Sequence, residues 1–172
     1  MTAFAIAPET GDHQSAIDLL HAEAFGPGRY SRAAFRVREQ GPHDPALSFV
    51  AIDEGDGALL GSVRLTWIET AGTGARGLLL GPLAVQERLK GKGIGKALLR
   101  RAVDAAREAG AGYILLVGDK PYYWPFGFET LPQRKVQMPG PVDPARFLVC
   151  ALQPDVGETL GGMVRWAEKP RC

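Results

Sequence analysis

Cysteine is scarce in this chain of 172 residues: Cys150 and Cys172 are the only two. Two cysteines make no disulfide framework and show no metal-ligand spacing, which points to a reducing, cytoplasmic setting. Surplus charge is missing too. Twenty basic residues face 19 acidic ones, for a net charge of +1. A nucleic-acid coat needs a basic surplus gathered on one face, so no nucleic-acid partner is expected. No apolar run reaches the about 18 residues of a membrane-spanning helix. Residues 1–9 lack a basic segment followed by a long apolar one, so neither a membrane partner nor a secretory leader is expected. Repeats, low-complexity tracts and dividing linkers are also absent. What remains is a chain with 45% hydrophobic residues, enough for one real core, read as a single domain over 1–172.

The pattern along that chain alternates between strand and helix. Phe4–Ala7 reads as a short strand ended by Pro8. Gly11 or Asp12 can cap a helix from His13 to about Phe25, with Ala16, Ile17, Leu20 and Ala24 at helical spacing. Gly26-Pro27-Gly28 breaks it, and a second helix is expected over Ser31–Gln40. Leu47–Ile52 and Ala58–Ile68 read as a hairpin around the turn Asp53–Gly57. A flexible connection is expected at Ala71–Gly74. Leu78–Val85 reads as a central strand interrupted by Gly81-Pro82. Proline cannot donate to a ladder, so Pro82 implies a bulge or a splayed edge. The clearest helix is Ile94–Ala109, with Ile94, Ala97, Leu98, Ala102, Ala105, Ala106 and Ala109 on one face and Gly110 as its stop. Tyr113–Val117 reads as a buried strand, Leu131–Pro144 as a long loop, and Phe147–Leu152 and Met163–Trp166 as two further strands. The class is mixed α/β.

Chemistry concentrates in Leu78–Phe128. Lys90-Gly91-Lys92-Gly93-Ile94-Gly95-Lys96 follows a strand and opens a helix. Its glycines let backbone amides approach a ligand closely, and the helix N-terminus adds unpaired donors and a positive dipole end. Three lysines add charge. The combination suits a phosphate or pyrophosphate, set against the plainer alternative of a glycine turn with surface lysines. A P-loop is excluded, because Lys90 and Ala97 stand where it needs glycine and Ser or Thr. A dinucleotide fingerprint is excluded, because Lys96 stands where its third glycine belongs.

The segment resembles the pyrophosphate loop of the GNAT superfamily of acetyl-CoA-dependent N-acetyltransferases, of the form Gln/Arg-x-x-Gly-x-Gly/Ala. Lys90 departs from the first position, keeping the charge but not the planar fork of an arginine. Gly81-Pro82-Leu83-Ala84-Val85 is similar to that family's fourth strand, and Tyr123-Trp124-Pro125-Phe126-Gly127-Phe128 to its Tyr-x-x-x-Gly-Phe segment. The likeness is strong over about 78–130, the core, and rests on element order alone in the N-terminal half. The chain also looks similar to small bacterial predicted N-acetyltransferases, which share the aromatic segment and a C-terminal extension, here 145–172.

The resemblance implies a mostly antiparallel mixed sheet, flanked by helices and splayed between strands 4 and 5. It implies acetyl-CoA as co-substrate and no metal. Backbone groups of Leu83, Ala84 and Val85 would hold the pantetheine arm, with the Leu83 amide also facing the thioester oxygen as an oxyanion donor. Lys90, Gly91, Lys92, Gly93, Ile94, Gly95 and Lys96 would hold pyrophosphate. Tyr123, protonated at neutral pH, would donate its proton to the departing thiolate, with Tyr122 in that place if the register is shifted by one. The alternative for Tyr123 is packing in the aromatic cluster of Tyr122, Trp124, Phe126 and Phe128.

The fourth strand carries no carboxylate, which leaves Glu69 and Asp119 as candidate bases beside a water route. His13, His21 and His43 lack a partner pattern and read as surface or capping residues. No Gly-x-Ser-x-Gly elbow exists, which favours direct attack by the amine over a covalent intermediate. The acceptor, a small-molecule or peptide amine, is expected between Phe25–Arg36 and Glu69–Arg76. Arg29, Arg32, Arg36 and Arg64 are either its anion contacts or a solvated face. Trp67 and Trp124 are either pocket lining or core. The C-terminal extension closes the site or makes a homodimer contact. Two other functions fit part of the pattern: a non-catalytic acyl-CoA-binding regulatory module, and a nucleotide-binding transferase.

Overall fold

The structure is a computed structural model that describes residues 3–71, 76–132 and 135–171. Strands β1 (Phe4–Pro8), β2 (Phe49–Asp53), β3 (Leu59–Thr70), β4 (Arg76–Val85) and β5 (Tyr113–Val117) follow the sequence pattern. So do β8 (Phe147–Ala151) and β9 (Gly162–Trp166), while β6 (Glu129–Thr130) and β7 (Val136–Gln137) are two-residue strands. The helices are α1 (Gln14–Phe25), α2 (Ala33–Arg38), α3 (Ile94–Glu108), α4 (Lys120–Tyr123) and α5 (Val156–Thr159).

One nine-stranded mixed sheet runs β1-β2-β3-β4-β5-β8-β6, with β9 on β3 and β7 on β9. β1 to β4 form antiparallel neighbours, and β4 pairs β5 in parallel through only Leu78–Ile114 and Leu79–Leu115. Past Leu79 the two strands part. Pro82 falls on this departing stretch, where no ladder partner needs its missing N–H, and the β3–β4 register slips between Val63 and Leu65. Bulge and splay therefore both accompany Gly81-Pro82.

Alternation along the strands sends side chains to two cores. Val63, Leu65, Leu78, Leu80, Ile114 and Leu116 pack against α3. Ile68, Leu79, Tyr113 and Leu115 pack on the other face, with Ala33 and Val37 of α2. The buried stripe of α3 is Ile94, Leu98, Leu99, Ala102, Val103, Ala105 and Ala106, while the expected Ala109 is exposed. In α1 it is Ile17, Leu20 and His21, and the expected Ala16 and Ala24 face out.

Several boundaries differ from the sequence expectation. Gly11–His13 is a 3-10 turn capped by Thr10, whose amide donates to His13 Nδ1 at 3.0 Å, so the cap falls one residue before Gly11. The second helix is shorter than Ser31–Gln40, because Pro27–Ser31 winds as a separate 3-10 segment and Arg32 is extended. The expected loop Leu131–Pro144 contains β7, held by β9. The expected flexible Gly72–Gly74 lies outside the described residues. No helix among the described residues is long and apolar enough to cross a membrane.

Candidate active site

The parting of β4 and β5 opens into a cavity of about 990 Å³. Its walls include Leu80–Leu83 from β4, Leu116–Asp119 from the end of β5, and Tyr122 and Tyr123 from α4. From there it extends under α1 and α2 to Arg64 and Thr66 of β3. Leu83 and Tyr123 thus line one cavity.

Tyr123 is set by a glycine. A Cβ on Gly118 would lie 2.4 Å from the Tyr123 ring, so only a residue without a side chain lets the ring settle on the end of β5. Phe128 meets that ring edge-on, with centroids 5.9 Å apart. Burial pushes the phenol up to about 12, with Tyr122 and Asp119 adding to it. Burial also raises Tyr122. Tyr122 points elsewhere: a Cβ on Gly95 would lie 2.5 Å from its hydroxyl, which places that hydroxyl over the first turn of α3. Trp124 is neither core nor cavity lining. It is exposed and donates to Glu129 Oε1 at 2.9 Å. Trp67 is core, with its indole donating to Asp44 Oδ2 at 2.9 Å.

The glycine turn sits beside this wedge. Gly91 and Gly93 have φ of 78° and 89°, conformations that favour glycine. Lys90 and Lys92 amides donate back to Glu87 O and Leu89 O, and the first helical bond runs from Ala97 N–H to Gly93 O. Between those bonds, the amides of Gly91, Gly93, Ile94, Gly95 and Lys96 find no backbone acceptor among the described residues. They form a compact group of donors at the start of a 15-residue helix. The Lys90 ammonium pairs with Glu87.

The expected bases are otherwise engaged. Glu69 lies at the far end of the β3–β4 pair, bonded to Arg165 at 2.6 Å and Arg76 at 3.4 Å, away from the cavity. Asp119 lines the cavity but pairs with Arg146 at 3.0 Å.

The histidines divide. His13 caps, as expected. His21 and His43 are not surface residues: both line the cavity. His21 lies 3.3 Å from Ser62 Oγ, and burial, with Arg64 and Arg38 nearby, lowers it to about 4. His43 Nε2 lies 3.0 Å from Glu9 Oε1. Glu9 also accepts two bonds from Arg64, at 2.8 and 3.0 Å. Burial alone would raise the Glu9 carboxyl, and these partners outweigh it and bring it down to about 2.

The arginines expected to meet an acceptor are mostly committed. Arg64 is held by Glu9, Arg29 donates to Gly26 O and Tyr30, Arg36 donates to Pro139 O outside the cavity, and Arg32 lies over the Phe25 ring. A further arginine, Arg38, belongs to no sequence motif. It lines the cavity with its Nε enclosed and without a hydrogen-bond partner. Its position four residues after Ala34, one place past buried Val37, was the signal available. His21 gave a similar one, four residues after buried Ile17. No group of three or more His, Cys, Asp or Glu among the described residues is placed to hold a metal ion.

A parallel strand pair that splits over a cavity, with an amide-rich turn at one side and a buried tyrosine in its wall, is the arrangement that the GNAT resemblance implies. The chain belongs to the acetyltransferase (GNAT) family, whose model matches residues 15–128. It is 27% identical over 152 residues to YhbS of Escherichia coli K12, an N-acetyltransferase called uncharacterized, covering 88% of this chain and 89% of that one. A mycothiol acetyltransferase of Beutenbergia cavernae is 36% identical over 102 residues, 56% of this chain and 33% of that one. Among solved structures, E. coli YhbS in complex with CoA superposes with a TM-score of 0.80 at 25% identity, covering 98% and 92% of the two chains. A GNAT family acetyltransferase of Brucella melitensis in complex with acetyl-CoA gives 0.70 at 26% identity, covering 98% and 99%.

Proposed function

We propose that the chain transfers the acetyl group of acetyl-CoA to a primary amine by direct attack, in the cytoplasm. The observation that carries this is the continuity of the β4–β5 wedge with a deep cavity, next to the free amides of the glycine turn. Backbone groups of Leu83, Ala84 and Val85 hold the pantetheine arm on the edge that β5 leaves unpaired. Amides of Gly91, Gly93, Gly95 and Lys96, with Ile94 in the same turn and Lys90 and Lys92 for charge, hold pyrophosphate.

The neutral amine nitrogen attacks the thioester carbonyl carbon. Negative charge gathers on the thioester oxygen, where the Leu83 amide donates to it. The C–S bond then breaks, the thiolate takes the phenolic proton of Tyr123, and the proton that the nitrogen sheds on becoming an amide returns to the phenolate through water. A phenol held near 12 remains protonated at neutral pH, as that role requires. The buried Cys150, a free thiol that burial raises, fits a reducing compartment.

Calorimetric titration with acetyl-CoA, with ATP and NAD as controls, tests the coenzyme. Micromolar binding of acetyl-CoA alone is expected. Gly93→Glu places a carboxylate and a strained φ in the turn and should weaken that binding at least about 10-fold in a folded protein. ATP binding in preference would make the chain a nucleotide-dependent transferase. CoA binding without thiol release from any amine would make it an acyl-CoA-binding module.

A further inference from the structure

Two buried side-chain polar atoms among the described residues have no hydrogen-bond partner: Nε of Arg38 and Oγ1 of Thr66. Both residues line the same cavity. Leaving one polar group orphaned in a core is costly, and leaving a guanidinium without a counterion is more so. The groups acting on Arg38 deepen that cost. It is lowered to about 10 by burial first and then by the cations Arg32 and Arg64, and it still carries its charge at neutral pH. The acids of the cavity do not serve it. Asp119 is taken by Arg146, Asp18 accepts from Gln14, and Asp143 accepts from the amide of Ala145. Glu9, a buried carboxylate, is occupied by Arg64 and His43.

The place of the guanidinium matters as much as its isolation. A Cβ on Gly81 would lie 2.6 Å from Arg38 Nη2 and 3.9 Å from the Leu83 amide nitrogen. The cation and the amide proposed to face the thioester oxygen therefore flank one glycine, whose φ of 127° keeps that corner free of a side chain. The glycine turn, where the coenzyme's pyrophosphate belongs, opens α3 on the opposite face of the sheet from α2. An anion that reaches Arg38 thus arrives with the acceptor.

We propose that Arg38 is the acceptor's anion anchor, and that the acceptor is an amino-acid-sized amine carrying a carboxylate a few bonds from the reacting nitrogen. This rests on the acetyltransferase function proposed above. The guanidinium offers a planar donor fork matched to a carboxylate. The cavity volume, shared with the coenzyme's arm, suits a small molecule. Carboxylate binding at Arg38 leaves the amine over the wedge, beside the thioester carbon.

The test uses the full chain, acetyl-CoA, the twenty L-amino acids and their C-terminal amides, read by thiol release and by mass spectrometry of the products. At least one free acid should exceed its own amide by roughly 10- to 100-fold in kcat/KM, the worth of a charge-assisted hydrogen bond. Arg38→Met should erase that ratio, mostly through KM, and Arg38→Lys should restore part of it. Arg38→Met should also raise Tm, because it removes an unpaired buried charge. Equal use of acids and amides overturns the anchor. So does an Arg38→Met variant that slows acids and amides alike through kcat, which would make Arg38 a stabiliser of the thioester oxygen instead. The same amino acids titrated into the CoA-saturated protein, with Tm as the readout, separate this failure from that of the parent function. Saturable binding of acids that Arg38→Met abolishes supports the anchor even without turnover, and no binding of any acid sinks it. Loss of acetyl-CoA binding strikes the transferase function alone.

Discussion

Tyr123 shows how a single residue acquires a role through its neighbours. In water a tyrosine is a weak acid, and burial here makes it weaker still, up to about 12. That is a disadvantage for a group that must ionise at rest and an advantage for one that must keep its proton until a thiolate forms beside it. Tyr122, one residue earlier, has the same chemistry but lies over the first turn of α3. Tyr123→Phe should lower kcat by about 10- to 10³-fold with acetyl-CoA affinity held within twofold. Tyr122→Phe should weaken acetyl-CoA binding more than it slows turnover. The two variants, compared by single-turnover rates and by calorimetry, settle which tyrosine is the acid. Equal rates for wild type and Tyr123→Phe would remove Tyr123 from the mechanism. The tyrosine was legible in sequence because its motif is local. Arg38 and Thr66 were not, since their meaning comes from which side chains fail to meet them across the fold.

At the scale of elements, β1, α1 and β3 are tied together by groups with depressed pKa values. Glu9 at the end of β1 joins Arg64 of β3 and His43, and His21 of α1 rests against Ser62 of β3. For both groups the unfolded chain binds a proton at a higher pH than the folded one, so stability falls as pH falls. His21 acts between its ordinary 6.5 and about 4, and Glu9 between 4.5 and about 2. Each shift is worth on the order of 3 kcal/mol. Urea midpoints measured from pH 7 to pH 3 should therefore decline in two stages. His21→Gln should flatten the upper stage and Glu9→Gln the lower. A His21→Gln protein with the wild-type slope between pH 6.5 and 4 would mean that His21 titrates normally. The strands and helices themselves were largely readable, because α3 and the β2–β3 hairpin announce themselves by period and turn chemistry. β6 and β7 could not be read: two residues each carry no period, and they exist only because β8 and β9 pass beside them.

Across the whole molecule, the C-terminal extension packs against elements that line the cavity. β8 extends the sheet from β5, and β9 pairs with the end of β3 through Ile68–Trp166. Trp166 then reaches the segment after α2. Its amide donates to Gln40 Oε1 at 2.9 Å and its indole to Pro42 O at 3.0 Å. Its ring lies flat on Gly41, where a Cβ would come within 2.2 Å. Residues 41–43 line the cavity and follow directly from the helix that carries Arg38. Through β9 and Trp166 the extension therefore braces the half of the cavity beside α2, while through β8 it supports β5 on the other half. Trp166→Ala should cost about 2–3 kcal/mol of stability, since the ring is only partly buried. It should also lower kcat/KM for the amine by about tenfold through misplacement of α2 and His43. Acetyl-CoA affinity should stay within twofold of wild type, because none of the glycine turn or the wedge touches Trp166. Parallel losses in coenzyme and amine binding would show instead that the two halves of the cavity stand or fall together.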